Sequence, residues 1–123
     1  MRKRVFVSFD FDNDSSLHGA VVGQSKNPDS PFRIVDCSLK EEAPTVKWEA
    51  RARRAIKGAD IVLVMVGVDT FRASGVLKEV KMARDEQIPV VQVIGYSDAL
   101  CTRVPNAGRR YAWTWENLKK VLG

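Results

Sequence analysis

The sequence predicts an α/β protein: a three-layer sandwich around a parallel sheet of about five strands, in the order 2-1-3-4-5. Short runs rich in β-branched and aromatic residues, such as Arg4–Phe9 (RVFVSF) and Ile61–Val66 (IVLVMV), alternate with segments of helical spacing. Ile61–Val66 is continuously apolar, and Ile88, Val90 and Val91 nearly repeat the pattern, as strands covered on both faces require. The 123 residues suffice for one domain with a sizeable core and are too few for two, so residues 1–123 are read as one domain.

Each element has its own warrant. Arg4–Phe9 is the first strand. Asp10-Phe11-Asp12-Asn13-Asp14 makes a loop at its end, and Asp14 or Ser15 can cap a helix over about 15–25, where Leu17, Ala20, Val21 and Gln24 recur at helical spacing. Asn27-Pro28-Asp29-Ser30-Pro31 is a turn. Phe32–Cys37 (FRIVDC) reads as the second strand, and polar Ser38–Pro44 as a loop. A helix over Val46–Lys57 presents Trp48, Ala52, Ala55 and Ile56 on one face, with Gly58 as the stop. Ile61–Val66 is the third strand. Gly67–Gly75 connects it to a helix that Ser74 can cap and that runs to about Glu86, with Val76, Leu77, Val80 and Ala83 facing inward. Pro89–Gly95 is the fourth strand, and Tyr96–Arg110 fits neither period. Tyr111–Trp113 is a short edge strand, and Thr114 caps a last helix that turns Leu118, Val121 and Leu122 to the sheet.

Composition narrows the function classes. Hydrophobic content of 45% with 28% charged residues fits a globular chain rather than a disordered one. The net charge of +5 favours anionic partners, but Arg51, Arg53, Arg54, Lys57, Arg109 and Arg110 are dispersed, which reads as a solvated surface rather than a nucleic-acid footprint. Nucleic acid is therefore not an expected partner. Cys37 and Cys101 form no CxxC and are expected as free thiols. No apolar run reaches the ~18 residues of a membrane span, and no signal-peptide core follows the charged start, so the expected location is the cytoplasm, without a membrane partner.

In doubly wound sheets with this flavodoxin-like strand order, ligands bind beyond the carboxyl ends of the strands, where the first and third diverge. That rule selects Ser8–Asp14, Cys37–Leu39, Gly67–Gly75 and the helix start carrying Glu79. Neither a GxGxxG after the first strand nor a GxxxxGK[ST] is present, which removes the dinucleotide fingerprint and the P-loop. The sole histidine, His18, has no ligand-spaced Cys or His, so no metal site is expected, and it supplies no base for a Ser or Cys triad. A phosphorelay receiver shares the fold, and Asp10, Asp12 and Asp69 stand roughly at its acidic positions, but no Lys follows the fourth or fifth strand to complete the phosphate chemistry.

Three blocks together resemble the TIR superfamily. Arg4-Val5-Phe6-Val7-Ser8-Phe9 is similar to its first strand, and Asp60-Ile61-Val62-Leu63-Val64 to its third. Val76-Leu77-Lys78-Glu79-Val80, then Ala83, then Ile88-Pro89-Val90-Val91 resembles its helix-to-fourth-strand block. The compact branch found as ThsB-type proteins in Thoeris antiphage systems fits best, with Trp48 as its second-helix tryptophan. The resemblance covers about Lys3–Gly95. Asp10-Phe11-Asp12 departs from the His-Tyr of many relatives, and Gly75-Val76 stands where many carry a Trp.

The resemblance implies cleavage of the nicotinamide–ribose bond of NAD⁺ by an NAD⁺ nucleosidase or ADP-ribosyl cyclase, giving an ADP-ribose-derived signalling nucleotide in antiphage defence. It maps the essential carboxylate onto Glu79. By position, Phe9 is a candidate to stack on a ring, Ser8 and Asp10 to contact ribose or nicotinamide, Ser38, Thr70 and Ser74 to line the pocket, and Arg72 to meet the pyrophosphate. NAD⁺ is expected as substrate, with no permanently bound cofactor. The expected partners are further copies of the chain, through TIR–TIR contacts, and a nucleotide-gated effector that responds to the product. From spacing alone, Glu79 reads first as a solvated helix charge, Phe9 and Trp48 as core, and Asp10, Asp12 and Asp14 as loop and cap residues. The alternative function is a non-catalytic TIR-like module that pairs with a partner or senses a nucleotide.

Overall fold

A computed structural model of the chain describes residues 3–9, 23–28, 30–35, 46–67, 70–94, 104–105 and 107–122; within these, the side chains of residues 46–49 and 74 are not described. Five strands, β1 (Lys3–Ser8), β2 (Phe32–Ile34), β3 (Ile61–Val66), β4 (Val90–Ile94) and β5 (Arg110–Ala112), form one sheet in the order β2-β1-β3-β4-β5. Every pairing is parallel, with Val5 opposite both Ile34 and Ile61, Val62 opposite Val90, and Gln92 opposite Arg110. Three helices are described over their full length, α1 (Val46–Lys57), α2 (Ser74–Asp85) and α3 (Trp115–Leu122), and residues 23–25 are helical as well. This is the flavodoxin-like order that the alternation of strand and helix predicts. Among the described residues, no helix is long and apolar enough to cross a membrane.

The period-2 alternation of the strands sorts side chains into two cores. Phe6, Val62, Val64 and Val66 pack with Ala52 and Ile56 of α1 and with Val76, Val80 and Ala83 of α2. Val5, Val7, Phe9, Leu63 and Met65 pack on the other face with Leu118 and Leu122 of α3. All six residues of β3 are buried, which is why its sequence shows no polar alternation. Outside the cores, Arg53 and Lys57 of α1 reach Oε1 of Glu86 at 3.5 and 3.8 Å, so two of the dispersed basic residues tie α1 to the end of α2.

Local chemistry differs from expectation at several termini. α1 ends without a left-handed glycine: Gly58 N–H donates to Arg54 O at 3.3 Å and Ala59 N–H to Ile56 O at 3.0 Å, a tightened last turn. α2 is capped by the backbone of Ala73, with no side-chain cap bond, and Ser74 is its first helical residue rather than its cap. The helix closes through Gln87, at φ 58: Gln87 N–H donates to Arg84 O and Ile88 N–H to Ala83 O, a Schellman arrangement built without glycine. β5 lies one residue earlier than expected. The Thr114 cap of α3 is present, with Thr114 Oγ1 accepting from Asn117 N–H at 3.0 Å.

The irregular stretch before β5 is held by Gln92. Its Nε2 donates to the carbonyls of Val104 and Gly108 at 3.1 and 2.8 Å, and its Oε1 accepts from Val104 N–H at 2.9 Å. A glutamine inside a buried apolar strand (VVQVI) needs such partners, and the backbone beside it needs them equally.

Candidate active site

The largest departure from the expected pattern lies in α2. Leu77, expected to face inward, is 37% exposed, whereas Glu79 is fully buried. The buried positions Val76, Glu79, Val80 and Ala83 follow the i, i+3, i+4, i+7 stripe of a helix lying on a sheet. Leu77 falls about 100° away from Val76 on the helical wheel, toward solvent. The helix therefore buries the acid that occupies its stripe and exposes the leucine that does not.

The partner of Glu79 comes from β1. Ser8 is the last residue of that strand and shares its face with Phe6, the face on which α2 lies. Ser8 Oγ donates a hydrogen bond to Glu79 Oε1 at 2.6 Å, and Ser8 is fully buried too. The bond is short, as expected for a hydroxyl donating to a carboxylate oxygen. Oε2 of Glu79 is buried beside it. β1 turns outward to β2 on one side and β3 to β4 on the other, so Ser8 stands where the strand order reverses.

The other candidates divide by location. Phe9 follows Ser8 and therefore points to the opposite face, where it is buried in the core with Leu118 and Leu122. That packing accounts for its aromatic ring without a stacked ligand, and the structure does not bring it together with Glu79. Thr70 is buried in a 3-10 turn (Thr70–Arg72) after β3; its Oγ1 accepts from Gly67 N–H at 2.6 Å and its carbonyl from Ala73 N–H at 3.1 Å. Thr70 thus shapes the connection at the same end of the sheet as Ser8. Arg72 is exposed on that turn, its guanidinium 5.6 Å from the centre of the Phe71 ring. Ser74 begins α2, but its side chain lies outside the described residues, as do Asp10 and Ser38 entirely. Asp12, Asp14, His18, Cys37, Asp69 and Cys101 also lie outside them.

At the amino end of the same strands, Asp60 has a structural task. Its Oδ2 accepts from the Arg4 backbone N–H at 2.8 Å, and its Oδ1 pairs with the Arg4 guanidinium at 3.3 Å. The Arg4 N–H and then its guanidinium hold the Asp60 carboxyl below its ordinary range. A groove of about 350 Å³ also lies at the amino end, lined by Arg84, Gln87, Ile88, Pro89, Val90 and Gly108. It is at the end of the sheet opposite Ser8 and Glu79 and contains neither, so the paired acid, not the groove, marks the candidate site.

Comparison with known proteins agrees with this fold. Among solved structures, the Clostridium botulinum CMP N-glycosidase BcmB is similar, with a TM-score of 0.57 over 97% of each chain at 14% identity, a likeness of fold. No curated protein matches. The family model described as "Thoeris protein ThsB, TIR-like domain" matches residues 6–98, most of the chain, and spans Ser8, Asp60 and Glu79. The chain belongs to this ThsB TIR-like domain family.

Proposed function

We propose that this protein cleaves the nicotinamide–ribose bond of NAD⁺, as a glycohydrolase or cyclase, with Glu79 as the catalytic carboxylate. The observation that carries the reading is the complete burial of Glu79 against Ser8 at the strand-order reversal. A carboxylate taken out of water on an otherwise apolar helix face opposes folding. Such costs concentrate where a charge has chemistry to do.

The chemistry suits a single carboxylate. As the bond between ribose C1′ and the pyridinium nitrogen breaks, its electron pair passes to the ring, and nicotinamide leaves neutral. No general acid is required. Positive charge develops on C1′ and the ring oxygen, as in glycoside cleavage. A negatively charged group fixed beside the ribose stabilises that charge and accepts hydrogen bonds from the ribose hydroxyls. Attack by water at C1′, with loss of its proton, gives ADP-ribose; attack by a nucleophile within the same molecule gives a cyclic isomer. BcmB, by its name a glycosidase acting on CMP, places a second N-glycosidic substrate on the same fold and supports this reaction class.

Family membership supports a role in antiphage defence, with the product acting on a nucleotide-gated effector. Self-association through TIR–TIR contacts would complete the pocket, so activity is expected to rise with protein concentration. The test is NAD⁺ consumption, with products resolved by chromatography, for wild type and Glu79→Ala at several concentrations. CMP is run in parallel. Loss of NAD⁺ with wild type and its fall by at least about 100-fold in Glu79→Ala is the expected result. Equal consumption by the two proteins would sink the role of Glu79. Glu79-dependent release of cytosine from CMP, without NAD⁺ loss, would keep the carboxylate and replace the substrate.

A further inference from the structure

We infer that Ser8 is a positioning residue that holds Glu79 in its reactive orientation, not a group that contacts the substrate. This rests on the reading of Glu79 as the reacting carboxylate. The case begins with proton counting. A serine hydroxyl has one proton to donate. Here that proton goes to Glu79 Oε1 across 2.6 Å, with both residues fully buried. That proton is therefore committed, and toward a ribose Ser8 keeps acceptor lone pairs but no donor.

The second step concerns rigidity. A glutamate reaches its carboxyl group through three rotatable bonds, and the apolar neighbours Val76, Val80 and Ala83 have no directional hold on its oxygens. Ser8 has such a hold because its own backbone is fixed. It pairs with Val64 in the centre of the sheet and lies on the strand that β2 and β3 flank. The bond joins residues 71 positions apart, so the carboxylate is referenced to the sheet rather than to its own helix. Catalytic groups need placement within about 0.5 Å, and a hydrogen bond anchored in the sheet contributes to it.

The third step is the choice of residue type. At the last β1 position on the α2 face, an apolar side chain would continue the core that Phe6 begins. Serine forgoes that packing. Its hydroxyl is matched to Glu79, the buried carboxylate of the facing helix, whereas the other, Asp85, is exposed and pairs with Lys81.

The test uses two residues of equal shape, Ser8→Thr and Ser8→Val, which differ in the hydroxyl alone. Ser8→Ala, which adds no bulk, accompanies them in case neither larger side chain is accommodated. Turnover of NAD⁺ is measured as kcat and KM. The Glu79 carboxyl bands are followed by infrared spectroscopy of carbon-13 glutamate-labelled protein, with Glu79→Gln as the subtraction.

In Ser8→Val and Ser8→Ala, kcat is expected to fall about 10- to 100-fold below that of Ser8→Thr, with KM changed by less than about threefold. The Glu79 bands are expected to shift in Val and Ala and to stay near their wild-type position in Thr. Equal kcat in the Thr and Val proteins would overturn the inference, as would bands unmoved in all three. A substrate-contacting Ser8 would instead raise KM and leave the bands in place, which also overturns it. If no protein, wild type included, consumes NAD⁺, the bands alone decide. A shift confined to Val and Ala would then retain the Ser8 hold on Glu79 and sink the NAD⁺ reading.

Discussion

Replacing the Ser8–Glu79 pair by Ala and Leu is expected to make the protein more stable and inactive. Both residues are fully buried, and the α2 face around Glu79 is otherwise Val76, Val80 and Ala83. Removing a carboxylate from water costs several kcal/mol even after the protein relaxes, at the low end of the range set by ion transfer. The Ser8 hydrogen bond returns about 1.5–3 kcal/mol. Leucine fills a similar volume and adds apolar burial, and alanine removes the hydroxyl that leucine would leave without an acceptor. The double variant is therefore expected to gain about 1–4 kcal/mol. Glu79→Leu alone is expected to gain less, because a buried hydroxyl stranded beside it costs about 1–3 kcal/mol. The two changes are thus non-additive, as contacting residues usually are. Urea unfolding followed by circular dichroism reads the gain as a higher midpoint at unchanged slope, and NAD⁺ consumption reads the loss of activity. A double variant less stable than wild type by more than about 1 kcal/mol would refute the reasoning, since burial of Glu79 would then belong to a stabilising network.

Three further outcomes follow from the backbone and the surface. Gly108 has φ +78, and a Cβ there would run into the carbonyl oxygen of Val90; Gly108→Ala is expected to lose about 2–5 kcal/mol in urea unfolding, and a midpoint within error of wild type would contradict the close approach. Gln87, at φ 58 without glycine's freedom, is expected to gain about 0.5–1 kcal/mol as Gln87→Gly, which an unchanged or lower melting temperature would exclude. Asp60 is held below its ordinary value of 3.8 by Arg4, chiefly through the backbone N–H. Because the folded value is the depressed one, its stabilisation is complete above the unfolded value and is lost as pH falls through the folded value. The stability difference between wild type and Asp60→Asn should therefore shrink as the pH drops below 3.8, and a difference constant down to about pH 2 would rule this out.

The fold was legible because its signals are redundant. β3 is buried on both faces, and IVLVMV states that without reference to any partner. The strand order followed from alternation and chain length, two properties that no single residue can spoil. What was less legible depends on pairings distant in sequence. Gln92 reads as an oddity inside VVQVI until the backbones of Val104 and Gly108 arrive to use its amide. Gly58 offered a helix stop by composition, yet the chain ends α1 through ordinary backbone bonds, and among the described residues the left-handed glycine is Gly108. Composition names residues able to take a conformation; the neighbouring backbone decides which one must.

The site shows the same limit more sharply. Hydrophobicity placed Leu77 inside and left Glu79 open between surface and site, while helical geometry alone puts position 79 on the stripe of 76, 80 and 83. The two criteria conflict at one residue, and local conflicts of this kind are expected where function overrides folding. Two carboxylates bond to β1 near its ends: Asp60 grips Arg4 at the amino end, and Glu79 accepts from Ser8 at the carboxyl end. The first is exposed, and solvent can replace much of what it contributes. The second is sealed from water, on a helix face where a leucine would have served the core. A pair retained for stability alone would resemble the Arg4–Asp60 contact. Under the proposed reaction, the burial of Glu79 serves to present a fixed charge to the substrate.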